Sequence, residues 1–159
     1  MRKTYYDQEG AVSYAHKWAY RHSPQYYNFD RLEDCTNFTS QVLYAASEVM
    51  NPKPTFGRYY HSLNNRAPAC TGVEFLYKFL AKNLGIGRVL VDADFSQVEP
   101  GGLVYLSFDG IAFSHSPTIV SAGAAPSPSS TLVAAHTLDT DNGPLNTYQC
   151  VSITYVNTC

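Results

Sequence analysis

The sequence predicts an α+β fold in which N-terminal helices pack on a C-terminal antiparallel β-sheet. Apolar residues recur at helical spacing in the first half of the chain, and the period becomes alternating after Gly85. The strand-like segments of the second half are joined by short loops rich in turn residues. With 159 residues, the chain can bury a core without disulfides, so we expect a single domain spanning residues 1–159.

Three helices are predicted in the first half. The first runs from Gln8 to His22, because apolar residues form one stripe along it. The second begins at Cys35 and ends before Asn51, which Pro52 follows. The third opens with a capping box at Thr71–Glu74 and closes at Gly85. The segment between the second and third helices, Lys53–Cys70, is long for a loop and predicts a functional segment or a short helical turn.

Five strands are predicted in the second half, with a hairpin turn at Asp109-Gly110 and a last turn at Asp141–Pro144. The predicted strands are Arg88–Asp92, Gly102–Phe108, Ala112–Ala122, Ser130–Thr137 and Tyr148–Tyr155.

Composition excludes several classes of protein. The net charge of −2 and the lack of a basic run beyond Arg2-Lys3 argue against a nucleic-acid partner. No apolar stretch approaches the roughly 20 residues that span a bilayer, so membrane insertion is not expected. Because Met1–Asp7 lacks the apolar segment of a signal peptide, we expect synthesis in the cytoplasm and action elsewhere only after release. The 13 tyrosines suit contacts with sugars and peptides, although most are expected to line core edges.

One of the four cysteines differs from the others in its setting. Cys70, Cys150 and Cys159 are expected to be inert thiols, and no C-x-x-C pair indicates a zinc site. Cys35 follows Asp34, a helix-capping residue, and so lies at the start of the second helix. The free backbone N–H groups and positive dipole end of a helix favour a thiolate there. Cys35 is therefore the candidate nucleophile.

A cysteine nucleophile needs a base, and histidine serves best near neutral pH. His115 and His136 both lie in predicted strands, far from Cys35 in sequence but able to approach it in space. We expect His115 to be the base, and either His136 or Asp139 to hold its far nitrogen. A satisfied core histidine is the competing interpretation of His136.

Four further side chains complete the predicted site. The backbone N–H of Cys35 and a donor near Tyr27 are candidates for an oxyanion hole. Asn37 and Gln41 can buttress the site from within the helix. Asp34 is expected to cap the helix, and as a charge beside the thiol it can tune the thiol pKa. No metal or organic cofactor is implied.

The chain resembles a known family in several blocks. The most specific is Asp34–Gln41, preceded by Tyr6–Ala15 with Trp18, Tyr27 and Phe29; weaker matches follow at Pro100–Tyr105, Ser114–Ser116 and His136–Asp139. These blocks are similar to the putative amidase domain of bacterial and phage proteins, which looks like a branch of the papain-like cell-wall peptidases beside the NlpC-type and CHAP hydrolases. Gly102 replaces a usual Asp, Thr39 a usual apolar residue and Gln8 a common Arg.

The resemblance implies a papain-like fold with a helix-borne Cys35, a strand-borne His115 and a polar third member, His136 or Asp139. It also implies an amide bond of peptidoglycan as the substrate. We therefore expect a cysteine-dependent peptidoglycan amidase or endopeptidase, such as the catalytic domain of a phage endolysin. The substrate-binding candidates are Asp34, Asn37, Tyr27 and Asp139. A separate wall-binding domain is a possible partner. The alternatives are a secreted toxin amidase or deamidase, and a non-catalytic wall-binding module.

Overall fold

The computed structural model describes residues 5–29, 34–84, 90–92 and 94–158. Three α-helices are present in these residues: α1 (Gln8–Trp18), α2 (Cys35–Ser47) and α3 (Val73–Lys82). The strands are β1 (Tyr60–Ser62), β2 (Asn65–Arg66), β3 (Leu90–Asp92), β4 (Leu103–Ser107), β5 (Thr118–Ser121), β6 (Leu132–Ala135), β7 (Thr140–Pro144) and β8 (Ser152–Thr158). The strands β1 and β2 form a small hairpin, and the other six form one sheet in the order β3-β8-β4-β5-β6-β7. All pairings are antiparallel, so the predicted α+β class is confirmed.

Helix α1 begins where the sequence predicts but ends four residues earlier. The Asp7 carboxylate accepts a hydrogen bond of 2.9 Å from the Gly10 N–H and caps the helix. The buried face of α1 consists of small side chains, Ala11 and Ala15, which allow α2 to approach closely. The predicted extension to His22 is wrong, because the chain turns after Trp18.

Helix α2 is buried on almost every side, and this sets it apart from a surface helix. Eleven of its 13 residues are buried, from Cys35 to Ser47. Phe38 and Val42 pack against α1 and the sheet, whereas Leu43 packs toward α3. Polar side chains at the start of a buried helix need hydrogen-bond partners, and those partners determine the geometry of the candidate site.

The sheet separates two apolar layers because successive side chains of its strands point to opposite faces. On one face, Leu103, Tyr105 and Val156 pack with residues of α2 and α3. On the other face lies a second apolar cluster. Among the described residues, single 3₁₀ turns are the helical structure that packs on this face. The cluster contains Val98, Val104, Leu106, Ile119, Val133 and Leu145. Strand β4 is fully buried, which fits its position in the middle of the sheet.

Three sequence predictions about the strands are wrong. The last predicted strand, Tyr148–Tyr155, begins only at Ser152 and runs on to Thr158 as β8. Residues Asp141–Pro144, predicted as a turn, belong to strand β7, which pairs with β6. The predicted strand Ala112–Ala122 begins only at Thr118; His115 precedes it and forms an isolated bridge with Leu106. The Asp109-Gly110 turn is present, with a positive φ of 75° at Gly110. It opens a longer loop instead of a tight hairpin.

The segment Lys53–Cys70 contains the predicted short helical turn, a 3₁₀ helix at Pro68–Cys70, together with the β1-β2 hairpin. The predicted capping box of the third helix is wrong, since Gly72 is the N-cap of α3 and no side chain caps it. Gly85, its predicted end, lies outside the described residues. No helix in the described part of the chain has the length and apolar character to cross a membrane.

Candidate active site

A polar seam joins the first turn of α2 to the segment that carries His115. The Thr36 hydroxyl lies 3.3 Å from the Ser116 hydroxyl, and the Thr39 hydroxyl donates to the Ser116 carbonyl. All three side chains are buried. Because Cys35 directly precedes Thr36 and His115 directly precedes Ser116, the seam brings the predicted nucleophile and base to neighbouring positions. Thr39 thus has a structural reason to be polar.

The backbone of His115 is fixed by strand β4, and its ring is buried. Its backbone forms a two-way bridge with Leu106 of β4, with hydrogen bonds of 2.9 and 3.4 Å. Its ring is buried, with 7% of the residue exposed, and this burial lowers the pKa of His115 to about 4. The imidazole is therefore neutral at pH 7, which is the form that can accept a proton.

Tyr148 contacts His115, the candidate base, and lies close to Cys35, the candidate nucleophile. Its hydroxyl is 3.4 Å from Nε2 of His115, and the two ring centroids are 5.2 Å apart. Burial, and secondly the negative charge of the Cys35 thiolate, raise the pKa of Tyr148 to about 12. When Nε2–H donates to the phenol oxygen, the lone pair of His115 lies on Nδ1. That tautomer leaves Nδ1 as the proton acceptor.

Cys35 is the first residue of α2, and only 2% of it is exposed. Its sulfur lies 3.8 Å from the Thr36 hydroxyl. The first backbone N–H groups of a helix have no partner within the helix, so the Cys35 N–H is suited to stabilise a negative oxygen. A substrate carbonyl can reach this buried sulfur only if adjoining groups move.

His136 does not hold His115, contrary to the prediction. Its Nδ1 lies 2.5 Å from Oδ2 of Asp34, and its Nε2 lies 2.8 Å from the carbonyl oxygen of Trp18. Both ring nitrogens are thus engaged away from His115. The ring also stacks on Phe38, with centroids 4.3 Å apart. His136 is therefore a satisfied core histidine, the competing interpretation that the sequence left open.

The contacts of His136 favour its charged form. A carbonyl and a carboxylate both accept hydrogen bonds, so both ring nitrogens must donate. Burial opposes the charge. The hydrogen bonds to Asp34 and Trp18, with the charges of Asp34 and Asp139, outweigh that effect and raise the pKa of His136. An imidazolium thus holds the residue before α2 against the end of β6.

Asp34 and Asn37 serve the framework of the site. Asp34 is fully buried, so the predicted substrate contact of its carboxylate is wrong in this arrangement. It stands at the N-cap position of α2 but makes no capping hydrogen bond with its side chain; its Oδ1 instead accepts from Asn37 at 2.7 Å. Asn37 Nδ2 also lies 3.1 Å from the Tyr27 carbonyl, so its amide links Asp34 to the Tyr27 segment. Because only 1% of Asn37 is exposed, its predicted contact with substrate is wrong in this arrangement.

Tyr27 and Asp139 remain at the surface. Tyr27 is 48% exposed, which keeps its ring available to a substrate. Its backbone N–H donates to the Tyr60 hydroxyl at 2.9 Å, so this N–H is not free to serve as the predicted oxyanion donor. Asp139 is exposed and acts on His136 through its charge.

His22, Asp34 and His136 each place one potential metal ligand atom within 4.8 Å of the others. The 2.5 Å separation of His136 Nδ1 and Asp34 Oδ2 is shorter than the roughly 3.3 Å between two ligands of a tetrahedral zinc ion. With Nε2 of His136 bound to a carbonyl, these distances fit a shared proton better than a metal ion.

The sequence contained no signal that would single out Tyr148. It is one of 13 tyrosines and lies 33 residues beyond His115. Pairing between β4 and β8, the strand that follows Tyr148, brings it near His115. That pairing was not predicted.

The chain belongs to the putative amidase domain family, whose model matches residues 5–157. This places it in an amidase-type family of hydrolases. It is also similar to the uncharacterized protein YhbB of Bacillus subtilis (strain 168), with 29% identity over 136 residues. The match covers 84% of this chain and 42% of that relative, so the chain spans less than half of its length. No solved structure matches the chain.

Proposed function

We propose that this protein is a cysteine-dependent hydrolase that cleaves an amide bond of peptidoglycan. The observation that supports the proposal is the seam from Thr36 and Thr39 to Ser116, since it ties the helix turn that begins at Cys35 to the segment that carries the buried, neutral His115. Membership of an amidase family supports hydrolysis of an amide. Peptidoglycan as the substrate rests on the resemblance of the Asp34–Gln41 block to cell-wall hydrolases.

The proposed reaction has two halves. Nδ1 of His115 takes the thiol proton of Cys35, and the sulfur attacks the carbonyl carbon of the substrate amide. The oxyanion that forms accepts a hydrogen bond from the Cys35 N–H. The tetrahedral intermediate collapses as His115 returns the proton to the leaving nitrogen, and a thioester remains on Cys35. Water then loses a proton to His115 and attacks the thioester, releasing the acid and restoring the thiol.

In this scheme Tyr148 holds the far ring nitrogen of His115, a role for which the sequence suggested His136 and Asp139. The phenol oxygen accepts Nε2–H of His115, and this hydrogen bond strengthens when the ring becomes an imidazolium during the reaction. His136 and Asp34 act further away by fixing the start of α2.

The wider setting is also part of the proposal. A helix-borne cysteine opposed by a histidine beside an antiparallel sheet fits the papain-like plan, and we infer one catalytic domain of that type. We further infer the catalytic part of a phage endolysin that acts on the bacterial wall after release. A wall-binding partner domain is compatible with a relative more than twice as long as the matched region.

The test uses purified bacterial walls and two alanine variants. We expect wild type to release new amino groups from the walls, and Cys35→Ala to release none. Cys150→Ala is the matched control, because this partly exposed cysteine belongs to the opposite apolar cluster and should retain full activity. Mass spectrometry of the soluble products identifies the bond. Equal release by wild type and Cys35→Ala would reject the proposed function.

A further inference from the structure

The guanidinium of Arg66, at the end of β2, is placed for recognition more than for stability. Its Cζ lies 5.1 Å from the centroid of the Phe29 ring, a cation–π arrangement that keeps the planar group in one orientation. Nε donates to the Thr71 hydroxyl at 3.3 Å, and Nη1 donates to the Leu63 carbonyl. Nη2 makes no hydrogen bond to any residue that the structure describes.

Arg66 lines an open groove of about 350 Å³ together with Pro68, Thr71, Gly72 and Phe75. It is the charged member of this set. Within the described ranges no carboxylate lies within ion-pair distance of Arg66. The Phe75 ring is 55% exposed and gives the groove an apolar wall. A cation beside an apolar wall suits an anionic ligand with a carbon skeleton.

The groove is linked to the candidate active site by aromatic contacts. Asn37, in the first turn of α2, binds the Tyr27 carbonyl. The Tyr27 ring lies 4.8 Å from the Phe29 ring, and Arg66 covers Phe29. The Tyr27 backbone is fixed to β1 through the Tyr60 hydroxyl. A peptide whose amide bond lies at Cys35 can therefore extend over the exposed Tyr27 ring toward Arg66, which covers the buried Phe29 ring.

We propose that Arg66 and Thr71 form a carboxylate-binding subsite that recognises an acidic residue of the substrate peptide. The inference rests on the proposed function and names the chemical class of its substrate. Nη2–H supplies one hydrogen bond. The Thr71 hydroxyl accepts from Nε and can donate its own hydrogen to the second carboxylate oxygen. Arginine suits this subsite better than lysine, because the planar guanidinium can donate from Nη2 while Nε and Nη1 stay bound to Thr71 and the Leu63 carbonyl.

The first test compares two substrates on the wild-type protein. One is the stem pentapeptide L-alanyl-γ-D-glutamyl-L-lysyl-D-alanyl-D-alanine, and the other is the same peptide with its carboxylates converted to carboxamides. Loss of a hydrogen bond to a charged group predicts a KM roughly 10- to 100-fold higher for the amidated peptide, with little change in kcat. Equal KM values for the two peptides would overturn the subsite.

The second test uses Arg66→Gln and Arg66→Lys. Arg66→Gln should raise KM for the acidic peptide to the value found with the amidated one, and Arg66→Lys should recover part of the difference. Lys82→Gln removes the same charge from the exposed far end of α3 and should behave as wild type. If Arg66→Gln raised KM equally for both peptides, Arg66 would support the fold without recognising the carboxylate. The wild-type comparison decides the matter if Arg66→Gln does not fold.

Binding to Cys35→Ala separates this inference from the proposed function. Calorimetric titration of that variant with both peptides should show tighter binding of the acidic peptide, and Arg66→Gln in the same background should abolish the preference. If wild type cleaves no wall but this preference is found, the subsite stands and the proposed reaction fails. If cleavage occurs without any preference in either assay, the subsite fails and the reaction stands.

Discussion

The Nδ1 atom of His136 lies 2.5 Å from the carboxylate of Asp34, which joins the residue after β6 to the residue before α2. Both residues are almost fully buried, so the pair is shielded from water. It fixes the start of α2 from one side, while Ser116 fixes it from the other. The framework of the candidate site thus depends on a buried charge pair.

We predict that His136→Leu destabilises the fold by about 3–5 kcal/mol, because it removes the nearest partner of the buried Asp34 carboxylate and leaves only His22, whose Nδ1 lies at 3.4 Å, as a histidine beside it. Urea-induced unfolding gives the free energy of unfolding. The control is His16→Leu, which breaks an exposed pair with Asp141 and should cost at most about 1 kcal/mol. Adding Asp34→Asn to His136→Leu should recover part of the loss, since no unpaired charge then remains. Similar losses in the two single variants would contradict a special role for the buried pair.

We predict that Tyr148→Phe lowers kcat about 5- to 30-fold with little change in KM, because removal of one hydrogen bond to the imidazolium costs about 1–2 kcal/mol in the transition state. Kinetics on a soluble muropeptide measure both constants. Tyr155→Phe is the control, since this tyrosine of β8 packs on Phe95 away from His115. Wild-type kcat in Tyr148→Phe would remove Tyr148 from the proposed mechanism.

The sequence predicted the α+β class and the position of Cys35 at a helix start, but not the contacts that each histidine makes. Helical and alternating periods are local signals, and the start of α2 at Cys35 follows from them. The partner of each histidine depends on long-range pairing. His136 follows β6 and meets α1 and α2, whereas Tyr148 is brought to His115 by the pairing of β8 with β4. The residues around His115 and His136 contain no local sequence pattern that predicts either pairing.

The missed strand β7 has a similar cause. Asp141, Asn142, Gly143 and Pro144 are turn-forming residues, yet they pair with β6 at the edge of the sheet. The turn is instead made by Thr137 and Leu138, which both adopt positive φ values of 61° and 69°. β-Branched and large apolar residues rarely adopt this conformation. Tertiary contacts, including that of the Thr137 hydroxyl with the Asp34 N–H, therefore override the local preference.

We predict that His115 titrates near pH 4 in the folded protein, well below its ordinary pKa of 6.5. The unfolded chain then binds more protons between these two values, so stability falls as the pH drops from 6.5 toward 4. The loss is on the order of 3 kcal/mol for this one group. The acid limb of kcat/KM should also lie near pH 4, because only the neutral ring accepts the thiol proton. NMR of the ring carbons measures the pKa directly.

The variant His115→Gln provides the control for this pH dependence. It has no group that titrates at this position, so its free energy of unfolding should fall less than that of wild type over the same pH range. A ring pKa of 6 or above in wild type would contradict the prediction. It would also mean that the site opens to water more than the structure indicates.

We predict opposite effects of two Thr→Val substitutions that remove a hydroxyl from equally buried threonines. Thr39 donates to the Ser116 carbonyl, so Thr39→Val leaves that buried acceptor with one partner fewer and should cost about 1–3 kcal/mol. The Thr118 hydroxyl is buried and has no hydrogen-bond partner among the described residues, so Thr118→Val should leave stability unchanged or raise it by up to about 1 kcal/mol.

The two variants also separate stability from activity. Thr39→Val loosens the contact that sets Cys35 beside His115, so its kcat should fall even at temperatures where the protein remains fully folded. Thr118→Val alters the first residue of β5, whose hydroxyl binds no described residue, and should keep the wild-type kcat. Urea unfolding and single-turnover kinetics at one temperature measure the two effects independently. If Thr39→Val lost stability but kept its full rate once folded, the polar seam would support the fold without positioning the nucleophile.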